Sequence, residues 1–361
     1  MCANIILRQF DMIILSLKEI VKFGKPQLPD FKLSALGKSN AITVLPRIKS
    51  DKTFYKGVSA EIYLKKKNDH ESVYRPSDSG KLALILAAGN QSLLIFSDIL
   101  DCLFIKNQPA AVKMNPVNDY LTPILERVFK PLIREKFISF IKGDASIGSY
   151  LSCHEKIKTL HLTGSDKTYD TIVFGGKIQH ENAEDRIPVN NRPFSAELGN
   201  ITPVTVVPGQ WSFDELYRQV IHVANMMVNN ASFNCITARL LIVHDQWAQR
   251  EKFLEMLKGY LSTRQANYSY YPNSDVIYAK FLSAYPEAEK LCKERDGYLP
   301  WTFISGLNWQ NKDEIIYNSE PYCPIMGEVS IPGNDIPAFP ILKIHEAYDA
   351  QGSGKYHGDY K

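Results

Sequence analysis

Cys235 closes the run Asn229-Asn230-Ala231-Ser232-Phe233-Asn234-Cys235, and Glu197 lies 38 residues before it, within Phe194-Ser195-Ala196-Glu197-Leu198-Gly199-Asn200. A thiol attacks an electrophile only once it is deprotonated, and a carboxylate within reach can take that proton or activate a later water. Free cysteine is among the most buried residue types, so a structural thiol is the competing reading of Cys235 taken alone. Glu197 ends an otherwise apolar strand-like stretch, where burial would raise its proton affinity and suit it to general-base work. A surface or salt-bridged glutamate is the plain alternative.

Three further places carry groups of the right kind. Asn90 follows Gly89 at the carboxyl end of a strand, where open α/β sheets place ligands. Its amide can donate to a developing oxyanion, with the backbone N–H of Cys235 as second donor; a turn Asn beside Gly is the alternative. Gly164-Ser165 ends another strand and offers backbone N–H groups at a helix start, a pyrophosphate-holding arrangement. No G-x-G-x-x-G fingerprint accompanies it. Lys113, directly after the strand Ala110 to Val112, can reach ribose hydroxyls, or is simply solvated.

These residues must be positioned by a regular framework, and the chain supplies one. Leu7 to Phe23 reads as a helix stopped by Gly24-Lys25-Pro26. Ala60 to Lys65 is strand-like, and the Lys65-Lys66-Lys67 run reads as a solvated strand end. Leu82 to Leu86 is a continuous apolar run, as expected of a strand buried on both faces. Helix is predicted over Leu93 to Phe104, strand over Ala110 to Val112, and helix over Tyr120 to Ile133, opened by Asn118-Asp119. Strand follows at Phe137 to Ile141, helix at Ile147 to Cys153, strand at Thr159 to Thr163 and a short helix at Thr168 to Phe174. After Asn200 the alternation restarts: strand Pro203 to Val207, helix Phe213 to Asn229, strand Leu240 to Val243, helix Gln246 to Leu261. Strand-helix-strand order implies parallel pairing and an open α/β sheet. The division expected is an N-terminal helix and hairpin segment over 1–80, a dinucleotide-binding domain over 81–199, a second domain over 200–345 and a polar tail over 346–361.

Composition narrows the class. The 361 residues, 45% hydrophobic and 22% charged, suit a two-domain globular chain. A net charge of +3 is too small to point to nucleic acid. Six scattered cysteines lack the short paired spacings of a metal site or a disulfide framework, so no metal is expected and reduced thiols in a cytoplasmic setting fit best. The apolar run Met12 to Leu17 is too short for a membrane span.

Taken together, the motifs resemble the aldehyde dehydrogenase superfamily across Lys81 to Glu328. The resemblance implies an α/β fold, with an open, mostly parallel cofactor-domain sheet followed by a second α/β catalytic domain. It gives Cys235 the role of nucleophile, Glu197 of Glu-Leu-Gly that of general base, and Asn90 that of oxyanion donor. Lys113 of Val112-Lys113-Met114-Asn115-Pro116 would hold the adenosine ribose, Gly164 and Ser165 of Thr163-Gly164-Ser165 the phosphates. Glu320-Pro321-Tyr322-Cys323-Pro324 is similar to the family's Glu-x-Phe-Gly-Pro, which gives Glu320, with Tyr322 beside it, the nicotinamide ribose. The implied activity is oxidation of an aldehyde to a carboxylic acid with NAD or NADP through a cysteine thioester.

The sequence departs from the pattern as well. Asn200 replaces the second Gly of Glu-Leu-Gly-Gly, Phe233-Asn234 replaces Gly-Gln before the nucleophile, and Cys323 replaces Gly in the ribose motif. The part before Asn90 is short, and the chain stops soon after Glu328, so a shortened, divergent member is expected, its association into oligomers weakened without the C-terminal strand. A catalytically impaired relative that binds a nucleotide or a partner is the alternative, and acyl transfer to coenzyme A a variant of the first reading. A Gly-x-Ser-x-Gly hydrolase is disfavoured because no such elbow occurs. The tryptophans, Trp211, Trp247, Trp301 and Trp309, are expected mostly in the core.

Overall fold

The computed structural model describes residues 2–27, 32–33, 40–64, 80–176 and 187–332. Lys65-Lys66-Lys67 and the polar tail lie outside the described residues. The chain forms two compact units, Met1–His161 with Arg192–Phe194, and Leu162–Asn191 with Ser195–Lys361. Among the described residues no helix is long and apolar enough to cross a membrane.

The first unit opens on helix α1 (Cys2–Phe23), which starts earlier than the sequence suggests and ends where Gly24 turns left-handed at φ +77°. Arg8 of α1 donates to the buried Asp51 carboxylate at 2.7 Å, which also accepts the backbone N–H groups of Arg47 and Ile48. Strands β1 (Lys32–Leu33), β2 (Asn40–Leu45) and β3 (Ala60–Leu64) make a small antiparallel sheet.

A five-stranded sheet has the order β6-β5-β4-β7-β8. Its strands are β4 (Ala83–Leu86), β5 (Ala110–Lys113), β6 (Ile138–Ile141), β7 (Thr159–Thr163) and β8 (Phe194–Glu197). β4, β5 and β6 pair in parallel, and β4 and β5 are buried along their whole lengths, as their apolar runs require. Helices α3 (Ser92–Leu100), α6 (Ala145–Cys153) and α7 (Asp166–Phe174) fill the crossovers, with a short α2 (Asp51–Phe54) earlier. The helix expected over Leu93 to Phe104 passes into a wider π turn over Asp101–Ile105.

The helix predicted over Tyr120 to Ile133 is not one element. A 3₁₀ turn over Pro116–Leu121 leads into α4 (Thr122–Val128) and α5 (Lys130–Arg134), and the cap is Asn115, whose Oδ1 accepts the Val117 N–H at 3.1 Å, not Asn118-Asp119. Pro131 has no N–H and its ring crowds the Arg127 carbonyl, so the helix breaks at Phe129. Phe129 then drops, 2% exposed, among Phe10, Phe96 and Phe140.

In the second unit the sheet order is β11-β12-β13-β10-β9. It comprises β9 (Thr202–Thr205), β10 (Ala238–His244), β11 (Glu289–Lys290), β12 (Thr302–Leu307) and β13 (Ile325–Ile331), parallel except for the edge strand β11. Residues of β10 alternate between two cores. Leu241 and Val243 pack with helices α8 (Phe213–Val228) and α9 (Arg250–Ser262); Leu240 and Ile242 face α10 (Ser274–Ala284) and α11 (Ile315–Asn318). Ser212 and Glu215 close a capping box at the start of α8. The helix predicted from Gln246 begins only at Arg250, because Trp247 is buried in a turn with its indole N–H donated to the Gly209 carbonyl at 2.8 Å. All four tryptophans pack in or against these cores.

Candidate active site

Asn90 and Lys113 belong to the first unit, and the other six predicted site residues to the second. β4 ends in a turn over Ala88 to Asn90 that is tightly held. The Asn118 amide donates to the Ala88 carbonyl at 3.0 Å, and a β-carbon at Gly89 would lie 2.7 Å from the Asn115 carboxamide carbon. A side chain there would have to push the Asn115 cap aside, and Asn90 is half-buried next to it.

Lys113 ends β5 and is 7% exposed. Burial pushes its ammonium down from the ordinary lysine range, while Asp119 and Asp144 pull the other way. Among the described residues Lys113 makes no ion pair, and Asp119 Oδ1 is buried with no hydrogen-bond partner. A buried cation and an unsatisfied carboxylate oxygen on consecutive elements suit a ligand bearing hydroxyl groups. If a nucleotide ribose occupies this place, Lys113→Met is expected to raise its dissociation constant about tenfold or more, the worth of a charge-assisted hydrogen bond. Calorimetric titration checks this, and the melting temperature without nucleotide should not fall.

In the second unit, three motifs distant in sequence meet. The Gly164 N–H donates to the Glu197 carbonyl at 3.0 Å. Ser165 caps α7, accepting the Thr168 N–H at 3.2 Å, and Asp166 adds an exposed carboxylate to the first turn. That charge complements the helix dipole and competes with any anion at the same place.

Glu197 does not sit in apolar surroundings as the sequence suggested. The β8 alternation buries Ala196 and turns Glu197 outward, exposed. Of the two predicted site glutamates, the one largely withdrawn from water is Glu320, its side chain 11% exposed. Burial pushes its proton affinity up to about 7, only partly offset by the Arg239 guanidinium and the Asn200 N–H donated to it. Arg239 Nη2 lies 3.6 Å from Glu320 Oε1.

Gly199 explains why the glutamate motif and the ribose motif fit together: a β-carbon there would overlap the Glu320 carboxylate. Gly199→Ala is expected to destabilise the second unit by about 1–3 kcal/mol, the usual effect of overpacking, read from urea unfolding.

Cys235 lies on the turn between a 3₁₀ segment (Asn229–Ser232) and β10, half-buried. Burial pushes its thiol up, and the Glu320 and Glu197 carboxylates push the same way. The turn itself is unusual: Asn230, Ala231 and Ser232 have φ of 51°, 54° and 69°, a left-handed run without glycine. Side chains of Asn230 and Asn234 hydrogen-bond within the turn. Tyr322, also left-handed at φ 42°, donates its hydroxyl to the Phe233 carbonyl at 3.3 Å, with Tyr271 packed edge-on against it.

Arg239 was missed. It stands on β10, 0% exposed, in Ala238-Arg239-Leu240-Leu241-Ile242-Val243. A charge within a run that must be buried is itself a signal, because such a group needs partners.

No protein-family model matches the chain, and no curated protein matches it either. Solved structures do. A 3,6-anhydro-L-galactose dehydrogenase is 14% identical with a TM-score of 0.58, over 87% of this chain and 59% of that one. Glyceraldehyde-3-phosphate dehydrogenase from Methanocaldococcus jannaschii, solved with NADP, is 12% identical with a TM-score of 0.58, over 74% and 62%. Gamma-glutamyl-gamma-aminobutyraldehyde dehydrogenase from Burkholderia cenocepacia is 15% identical with a TM-score of 0.59, over 77% and 54%. This chain thus spans less than two thirds of the length of these structures, and within that span its fold is that of the aldehyde dehydrogenases.

Proposed function

We propose that the protein oxidises a small aldehyde to a carboxylic acid with NAD or NADP, through a thioester on Cys235. The observation that carries this reading is the meeting, within one unit, of the turn bearing Cys235, the strand end bearing Glu197 and the turn bearing Glu320. Sγ of Cys235, once deprotonated, bonds to the aldehyde carbon. The Asn90 amide, assigned on the motif resemblance alone, donates to the oxygen that becomes negative. A bound nicotinamide nucleotide supplies the hydride acceptor. Glu197, exposed to water at the end of β8, takes a proton from the water that attacks the thioester, and Cys235 leaves as thiolate.

A nucleotide fits the first-unit residues: Lys113 would hold its ribose, with the buried Asp119 oxygen as acceptor. Gly164 and Ser165 stay with its phosphates as motif matches, Glu320 and Tyr322 with the second ribose. The fold of structures that include one complexed with NADP supports this cofactor class. The test is reduction of NAD(P) dependent on an added aldehyde and lost in Cys235→Ala.

The second reading, nucleotide binding without turnover, has an observation in its favour. Asp166 sets a negative charge at the helix end offered to the phosphates, and the Cys235 thiol is pushed up, not down. Nucleotide binding with no turnover of any aldehyde would decide for it.

A further inference from the structure

Resting on that reading and going beyond it, we infer that Arg239 is a positioning residue, whose guanidinium locks the turn carrying Cys235 to the turn carrying Glu320. Nη2 donates to the Ser232 carbonyl at 2.6 Å, and Nη1 donates to the Cys323 carbonyl at 2.7 Å. Ser232 is three residues before Cys235; Cys323 is three residues after Glu320. One planar group thus spans both turns from a fully buried place on β10.

The Cys235 turn needs such a lock. Its three successive left-handed residues lie in backbone space that favours glycine, and such a conformation persists only where surroundings over-determine it. Many of its other polar ties are local. Ser232 Oγ donates to Met227, Thr237 Oγ1 to Ser232, and Asn234 to Asn229. The Tyr322 hydroxyl also crosses between the turns, at the longer distance of 3.3 Å and without charge. Arginine suits the place because its fork reaches two acceptors at fixed angles, which a lysine ammonium cannot do.

The lock has an electrical consequence. Besides burial, the Glu320 and Glu197 carboxylates push the Cys235 thiol up and the backbone N–H groups of Cys235 and Ile236 pull it down, with Arg239 acting on Glu320. If the register of the two turns depends on Arg239, the hold of Glu320 on Cys235 should depend on it too.

The experiment is a double-mutant cycle on the full chain, with iodoacetamide at pH 8 as probe. The rate of Cys235 alkylation is read by peptide mass spectrometry and normalised to the exposed Cys153. Glu320→Gln removes the negative neighbour and should speed Cys235 alkylation about threefold. In the Arg239→Lys background the same change should have no effect beyond error. An equal factor in both backgrounds, or no factor in the Arg239 protein, overturns the inference. Near-ultraviolet circular dichroism checks that the variants fold, and Arg239→Gln, which keeps a planar donor without charge, replaces Arg239→Lys if lysine does not fold. Alkylation needs no turnover. A protein without dehydrogenase activity that shows the lost coupling would refute the proposed reaction and leave the positioning role standing, and an active protein with equal factors would do the reverse.

Discussion

Cys235→Ala is expected to lower aldehyde-dependent kcat/KM at least about a thousandfold, since a methyl group can form no covalent intermediate. Nucleotide affinity should stay within about twofold, because the change removes one sulfur from a turn whose shape is set by other contacts. The protein should remain folded: Cys235 is half-buried and donates to nothing that the turn needs, while its carbonyl still accepts from Thr202 at 3.4 Å. Turnover equal to that of the parent protein would end the proposal. The pH dependence is a further check. Burial and two carboxylates push the thiol up from its ordinary value, so turnover limited by thiolate formation should still be rising above pH 9. For the same reason Cys235 is not the first thiol that iodoacetamide should label. Cys153 is exposed and should react earlier, so assays by labelling need the site-resolved readout.

The framework was legible because burial on two faces leaves a plain trace. Ala83 to Leu86 and Leu240 to Val243 are apolar runs too short for helices and are the strands that fill the cores. Likewise the periodic stretch from Phe213 carries its own start signal in Ser212 and Glu215. What was not legible depends on contacts between distant residues. Neither the flanks of Glu197 (Ala196, Leu198) nor those of Glu320 (Ser319, Pro321) tell which one is withdrawn from water. Which one is buried is decided by the alternation of β8 and by Gly199, whose missing β-carbon makes room for the Glu320 carboxylate. The split of the Tyr120 to Ile133 helix, by contrast, has a mark in the sequence, because Pro131 lacks the N–H that a continuous helix needs there. Glu328 shows the same lesson as Arg239. It stands in the middle of β13 at 0% exposure, accepting from Arg250 at 2.8 Å, the Gly306 N–H at 2.9 Å and the Ser330 hydroxyl at 2.8 Å. A charge in a core strand marks a partner elsewhere, and the sequence does not say where.

Glu320 makes the second large prediction, because its proton is linked to folding. In the unfolded chain a glutamate titrates near 4.5, and in the fold burial pushes this one up to about 7. The folded state therefore holds the proton more tightly. Its favourable contribution is fully present below the unfolded value and is lost as pH rises through about 7. Between those limits the loss amounts to about 3 kcal/mol, the free energy of the shift. Glu320→Gln, neutral and of the same shape, removes this dependence. The variant should thus be more stable than the parent at pH 8.5 by about 3 kcal/mol, and the gap should close as pH falls toward 5. Urea unfolding followed by tryptophan fluorescence is the appropriate measurement, since all four tryptophans belong to the same unit as Glu320. Taking the difference between variant and parent at each pH cancels the other carboxylates. A gap that stays constant from pH 5 to 8.5 would mean that the carboxylate keeps an ordinary proton affinity in the fold. A buried charge that the parent protein tolerates at this expense in stability is what a functional site shows, where one group is held against its own solvation for the sake of a ligand. The same variant should bind nucleotide less tightly if Glu320 holds a ribose, so stability and affinity are expected to move in opposite directions on one substitution.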